Sequence, residues 1–343
     1  MSRPYRGRRR GTYIPPLLIV ILLALALAAG YFFLLRPLWS GGEGPEETEQ
    51  TGGENAGENG EDGETGGDGG EAETPPTPPE HASTASGVAC TLTDLGEEAI
   101  HTGELILVNN WTAYHFPEER ELVSLYENKS DSYYIRSSEL YLAPQAMDAL
   151  NALLDAFRAQ GGSKTLNVVA CYRTAEEQQH LFDQSAERNG QDHAEKYVAK
   201  PGGSEHHTAL VVDLSILNSD GTSSDYDGTG EYAWINENCQ DYGWVVRYDQ
   251  NKAELTGIYD EPWHFRYVGI PHATKMAELD LCLEEYVDYL KDFTFQSPLT
   301  IDCAAGTYEV WYAQGSEIYL PDSGDYAVSG NNVDGLVVTY KVS

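Results

Sequence analysis

The sequence predicts an α+β fold, set behind a membrane-spanning segment and an acidic tether and closed by a short all-β extension. Three observations carry that expectation. An uncharged apolar run follows a basic N-terminus. A stretch almost devoid of apolar residues follows the run. Beyond it, helical and strand periodicities mix without regular βαβ alternation.

Residues 1–12 form a basic tail, with Arg3, Arg6, Arg8, Arg9 and Arg10 ahead of an uncharged run over 13–35. Those 23 residues are long enough for a hydrocarbon core of ~30 Å. The positive-inside rule places the tail in the cytoplasm and everything after residue 35 outside the cell. Ala26-Leu27-Ala28 resembles a signal-peptidase site, yet the apolar run continues through Leu35, which favours an uncleaved anchor. Residues 36–87 read as a disordered linker. Within it, 41–80 hold 13 acids and no base. Such a composition buries too little apolar area to offset ordering entropy, and its like charges extend the chain.

The formal charge is −34, and residues 81–343 still carry 42 acids against 15 bases. A surface of that sign repels phosphate backbones, so no nucleic-acid partner is expected. Five cysteines in an exported chain permit disulfides, but the odd count leaves one unpaired. No CxxC pair exists, which argues against a cysteine-ligated metal.

Within the main domain, 88–291, residues 103–109 (GELILVN) read as a strand. Residues 144–160 read as an amphipathic helix with Pro144 in its first turn, and 166–170 as a strand. Residues 174–188 read as a helix opened by a capping box, Thr174 with Glu177. A short helix then runs to Pro201-Gly202-Gly203. Residues 208–216 have a buried-strand pattern, 231–239 a helical one, and 244–248 and 263–268 are strands. Apolar residues at three- and four-residue spacing predict one long helix over 271–290. In the extension, 292–343, strands are predicted at 307–313, 317–320, 326–329 and 336–342. A piece this small is expected to pack against the preceding domain.

Two segments carry chemistry: Ser204-Glu205-His206-His207-Thr208-Ala209-Leu210-Val211-Val212-Asp213 and Glu261-Pro262-Trp263-His264. A carboxylate inside an apolar strand, as at Asp213, is costly unless paired or metal-bound. Two imidazoles and one carboxylate suit a catalytic Zn²⁺ site that keeps one position open. His206, Asp213 and His264 are the expected ligands, and His207 is the one competitor for His206. Glu261 stands where a general base would move a proton from water to a leaving amine. Arg247 and Arg266 read as structural ion-pair partners, and Trp263 as core packing or a cleft wall.

Three stretches together are specific. They are Tyr172-Arg173-Thr174 with Gln178, Ser204-Glu205-His206 with Asp213, and Tyr242-Gly243-Trp244-Val245-Val246-Arg247-Tyr248 through Thr256-Gly257 to Glu261-Pro262-Trp263-His264-Phe265-Arg266-Tyr267-Val268-Gly269. In content, order and spacing they resemble the VanY-type D-alanyl-D-alanine carboxypeptidases over about 104–291. The resemblance implies the small zinc DD-peptidase fold shared with Hedgehog-type domains. It implies Zn²⁺ held by His206, Asp213 and His264, and Glu261 as base. It also implies an oxyanion-stabilising, substrate-binding Arg173, with Gln178 and Ser204 lining the substrate site. The partners it implies are peptidoglycan stem peptides, whose C-terminal D-Ala is removed. Two alternatives stay open, an LD-carboxypeptidase of the same family and a non-catalytic wall-binding or sensor protein. Ala209 stands where the family usually has Gly, and if that position needs φ > 0 the cost is roughly 1 kcal/mol. Cys171 and His207 also depart from the family pattern.

Overall fold

The computed structural model describes residues 78–342; the basic tail, the apolar run and nearly all of the linker lie outside the described residues. Among the described residues no helix is long and apolar enough to cross a membrane.

The domain is built on a mixed sheet of order β4-β6-β7-β10-β9, with β8 pairing β7 as well. Its strands are β4 (Tyr134–Ile135), β6 (Leu166–Ala170), β7 (Val211–Leu217), β8 (Ser223–Asp225), β9 (Trp244–Tyr248) and β10 (Glu261–Tyr267). Only the β4–β6 pair is parallel. A small ladder joins β3 (Val123–Ser124) to β5 (Tyr141–Leu142). The helix Pro144–Ala159 lays Met147, Leu150, Leu154 and Phe157 onto the sheet, where they meet Leu166, Val168, Val212, Leu214 and Phe265. The helix Ala175–Asn189 opens on the expected capping box of Thr174 and Glu177.

Two expectations about the domain need correction. Residues 103–109 belong to no ladder; 103–105 bend, and only 105–109 are buried. Leu105 and Leu107 face one core, and Ile106 and Val108 another. Side chains satisfy much of the backbone here. The Leu105 amide donates to Ser329 Oγ, Arg266 donates to the Glu104 and Ile106 carbonyls, and Asn332 donates to that of Leu107. The stretch 271–290 is two helices, Ile270–Leu279 and Leu283–Leu290. Asp280 ends the first in the left-handed region, φ 54°, and a capping box of Cys282 with Glu285 opens the second.

The extension holds β11 (Leu299–Cys303), β12 (Gly306–Gln314), β13 (Glu317–Pro321), β14 (Asp325–Gly330) and β15 (Gly335–Lys341). Four of these form a sheet of order β11-β12-β15-β14. The fifth, β13, instead joins β1 (His81–Ser83) and β2 (Ala89–Asp94). The linker boundary at residue 87 therefore falls inside a hairpin, because His81–Ser83 pairs Ala89–Thr91. Packing on the domain occurs as expected, with Leu299, Ile301, Val310 and Val337 in one core with Val268, Met276, Leu283 and Tyr286. All five cysteines carry free thiols.

Candidate metal centre and cleft

His206 lies in a 3₁₀ turn, Glu205–Thr208, that leads into β7. The turn closes at Ala209 in the left-handed region, φ 56°, so the family's usual Gly is answered here by a strained Ala. Asp213 on β7 pairs directly with His264 on β10. Strict alternation would send Glu261 and His264, three residues apart, to opposite faces. The β10–β9 register slips between Glu261 and Phe265, and this irregularity, which also accommodates Pro262, returns both side chains to one cleft.

The ligand atoms of His206, Asp213 and His264 all lie within 4.8 Å of one another. His206 Nε2 is 3.3 Å from Asp213 Oδ2, and His264 Nδ1 is 2.9 Å from Asp213 Oδ1. The far side of each ring is anchored. His206 Nδ1 donates to the Cys171 carbonyl at 2.5 Å, and His264 Nε2 donates to Glu205 Oε2 at 3.4 Å. These outer bonds set the tautomers, turning Nε2 of one ring and Nδ1 of the other toward the centre. His207 does not compete. Its Nδ1 donates to the Arg173 carbonyl at 2.7 Å, and its Nε2 accepts from the Gly202 amide at 3.1 Å.

Glu205 is fully buried, and sequence reasoning gave it no role. Arg247 Nε at 2.8 Å and Arg266 Nη1 at 3.0 Å both donate to its Oε1, which leaves Oε2 for His264. Arg247 also forms a two-pronged pair with Glu284 on the last domain helix. Burial alone would raise the Glu205 carboxyl; the two guanidinium groups overcome it and hold the group well below the usual range. The available signal was the pair of arginines, since buried guanidinium groups require a buried acid. Burial alone would likewise lower His264, but its bonds to Asp213 and Glu205 raise it to about 9. Asp213 and Glu205 thus stabilise positive charge on His264, whereas burial lowers His206.

Glu261 Oε2 is 3.9 Å from His264 Nδ1. Burial, helped by the nearby Asp213 and Glu205, pushes its carboxyl up to about 7, against the opposing charges of His264 and Arg173. Arg173 lines the same cleft, its Nη1 donating to Gln178 Oε1 at 2.7 Å. Gln178 spends its amide nitrogen on the Ala199 carbonyl. It lines the cleft as expected and also supports Arg173. Ser204 lines the cleft and caps no helix with its side chain. Tyr248, which sequence reasoning did not single out, packs against the His264 ring at 4.9 Å. Trp263 serves as a cleft wall that also touches the core. The cavity is about 370 Å³.

A family model described as VanY, D-alanyl-D-alanine carboxypeptidase, matches residues 139–270. A D-alanyl-D-alanine carboxypeptidase of Enterococcus faecium is 30% identical over 253 residues, covering 71% of this chain and 77% of that protein. One of Enterococcus faecalis is 36% identical over 225 residues, covering 61% and 76%. The crystal structure of the vancomycin-resistance D,D-dipeptidase VanXYg, in complex with a D-Ala-D-Ala phosphinate analog, superposes with a TM-score of 0.66 at 32% identity. It covers 74% of this chain and 99% of that one.

Proposed function

This chain belongs to the VanY family of D-alanyl-D-alanine carboxypeptidases, and from that premise we propose that it is a zinc-dependent hydrolase that removes the C-terminal D-Ala from peptidoglycan stem peptides. The observation that carries the proposal is the convergence of His206 Nε2, an Asp213 oxygen and His264 Nδ1 on one point, each imidazole locked from behind. Two imidazole nitrogens, that of His264 freed by loss of its proton, and one carboxylate are the donor set of a catalytic Zn²⁺ site, and those three residues would hold the ion. When bound, Zn²⁺ supplies a Lewis acid and a lowered pKa for water at neutral pH.

The remaining work falls to the chain's own side chains. Glu261, raised toward neutrality and lining the same cleft, accepts a proton from the attacking water and returns it to the departing amine. Arg173, held in place by Gln178, stabilises negative charge developing on the carbonyl oxygen. Ser204 offers a hydroxyl to the leaving residue.

The test compares the wild type with Glu261→Gln on a pentapeptide ending in D-Ala-D-Ala, with zinc measured alongside. Glu261→Gln should keep one zinc and lose turnover by roughly 10²–10⁴-fold. Full activity in that variant would remove Glu261 from the chemistry. Release of D-Ala only from a tetrapeptide, where the preceding residue is L-centred, would move the assignment to an LD-carboxypeptidase.

The same reading places the enzyme outside the cytoplasm, tethered by residues 13–35 with the N-terminal arginines inside. Protease added to intact spheroplasts should remove the catalytic domain; protection of that domain would refute the topology.

A further inference from the structure

Asp213 and Trp263 are walls of two cavities, and the metal centre stands where these meet. The first arm holds Arg173, Ser204 and Glu261. The second holds Arg136, Ser223, Ser224, Asp225 and Tyr226. A peptide cleaved at the centre must cross from one arm into the other. Arg173 and Ser204 stand beside the ligands in the first arm and suit the single leaving residue with its terminal carboxylate. The second arm then takes the rest of the peptide.

Arg136 follows β4 directly, its amide donating to the Val168 carbonyl at 2.9 Å. Val168 faces Leu214 across the β6–β7 ladder, and Ala170 faces Asp213. Arg136 is therefore level with Asp213 and two strands away, roughly 10 Å at a strand spacing of about 4.8 Å. An extended peptide advances about 3.3 Å per residue, so roughly three residues separate the scissile bond from this guanidinium. Among the described residues Arg136 makes no ion pair and no side-chain hydrogen bond, and it is exposed. Where residues 81–343 hold 42 acids and 15 bases, a free arginine two strands from the reacting centre is a bias toward an anionic ligand. Asp225 lines the same arm, so the arm offers one cation and one anion.

We infer that Arg136 is a specificity residue that binds a free carboxylate on the third residue to the amino side of the cleaved bond. This rests on the carboxypeptidase reading above. In a peptidoglycan stem peptide that residue is γ-linked D-glutamate. Its α-carboxylate is free unless amidated, and the next residue carries an amine suited to Asp225. The enzyme would then distinguish the acidic stem from the amidated one by a charge-assisted bond to guanidinium.

The test uses two pentapeptides that differ only in that group, the free acid and the amide. The wild type should cleave the acid with a kcat/KM about five- to tenfold higher, an advantage that salt reduces. Arg136→Gln should cleave both at the wild-type rate for the amide, and Arg136→Lys should keep part of the preference. Calorimetry on Glu261→Gln should show the same preference in binding, lost when Arg136→Gln is added. Equal handling of the two peptides by the wild type, or a preference that survives Arg136→Gln, overturns the inference. Cleavage of both at equal rates would do so while leaving the hydrolase standing. Binding that still favours the acid through Arg136, with no D-Ala released from either peptide, would sustain the inference and strike the hydrolase instead.

Discussion

Glu205 sits one residue before a metal-ligand candidate and does not itself face the proposed ion. Its two oxygens divide the labour between Arg247 with Arg266 and the back of His264. Glu205→Gln would leave Arg266 buried without an acid partner and Arg247 with Glu284 alone, at a cost of roughly 3–5 kcal/mol. Loss of the carboxylate behind His264 should also weaken zinc binding by about 10–100-fold. Chemical denaturation and zinc titration of the variant would read the two effects separately; wild-type values in both would leave Glu205 without a role. At this scale the sequence was informative about the ligands, because an acid in an apolar strand is conspicuous. It was less so about their supports. The choice between His206 and His207 depended on which ring's nitrogens the backbone already occupies, a matter of fold and not of residue type.

Among the elements, β10 shows how much a local irregularity decides. Had its pairing stayed regular, Glu261 would point away from His264. Pro262 was the only visible hint, since a proline inside a central strand demands a break in the ladder. The split between Ile270–Leu279 and Leu283–Leu290 was illegible for a different reason. The apolar spacing runs straight through it, and the new cap is a cysteine, not a serine or aspartate. Asp280 holds the left-handed position that ends the first helix. Asp280→Gly should relieve that conformation and stabilise the protein by about 0.5–1 kcal/mol, read from the midpoint of urea unfolding. The stretch 105–108 alternates between two cores as a strand should, but its backbone partners are scattered side chains and single carbonyls, which sets it apart.

For the whole molecule, the contact between catalytic domain and extension has a polar centre at His272. Its Nδ1 meets the Tyr286 hydroxyl and its Nε2 the Thr339 hydroxyl, both at 2.8 Å. Burial drives its pKa down from 6.5 to about 3. The unfolded chain therefore takes up a proton that the folded one resists. Stability is unaffected by this group above pH 6.5 and falls progressively as pH drops from there toward 3. The slope contributed is up to about 1.4 kcal/mol per pH unit. His272→Gln should start less stable at neutral pH and lose less on acidification; parallel acid profiles for the two proteins would show that the imidazole does not titrate in that window. The extension's tendency to pack on the domain was readable from its size alone, but its recruitment of residues 81–94 was not, because nothing local links strands so far apart. That pairing has a consequence for the order of events in folding. Thr91 bonds Asp322 across 231 positions, and β2 finds its second neighbour only in β13. A chain emerging from its N-terminus can assemble the sheet that carries the metal ligands while β2 still waits for its partner. Completion of that ladder waits for β13, and closing so long a loop slows this step. Assembly of the β1-β2-β13 sheet is thereby timed by the synthesis of β13.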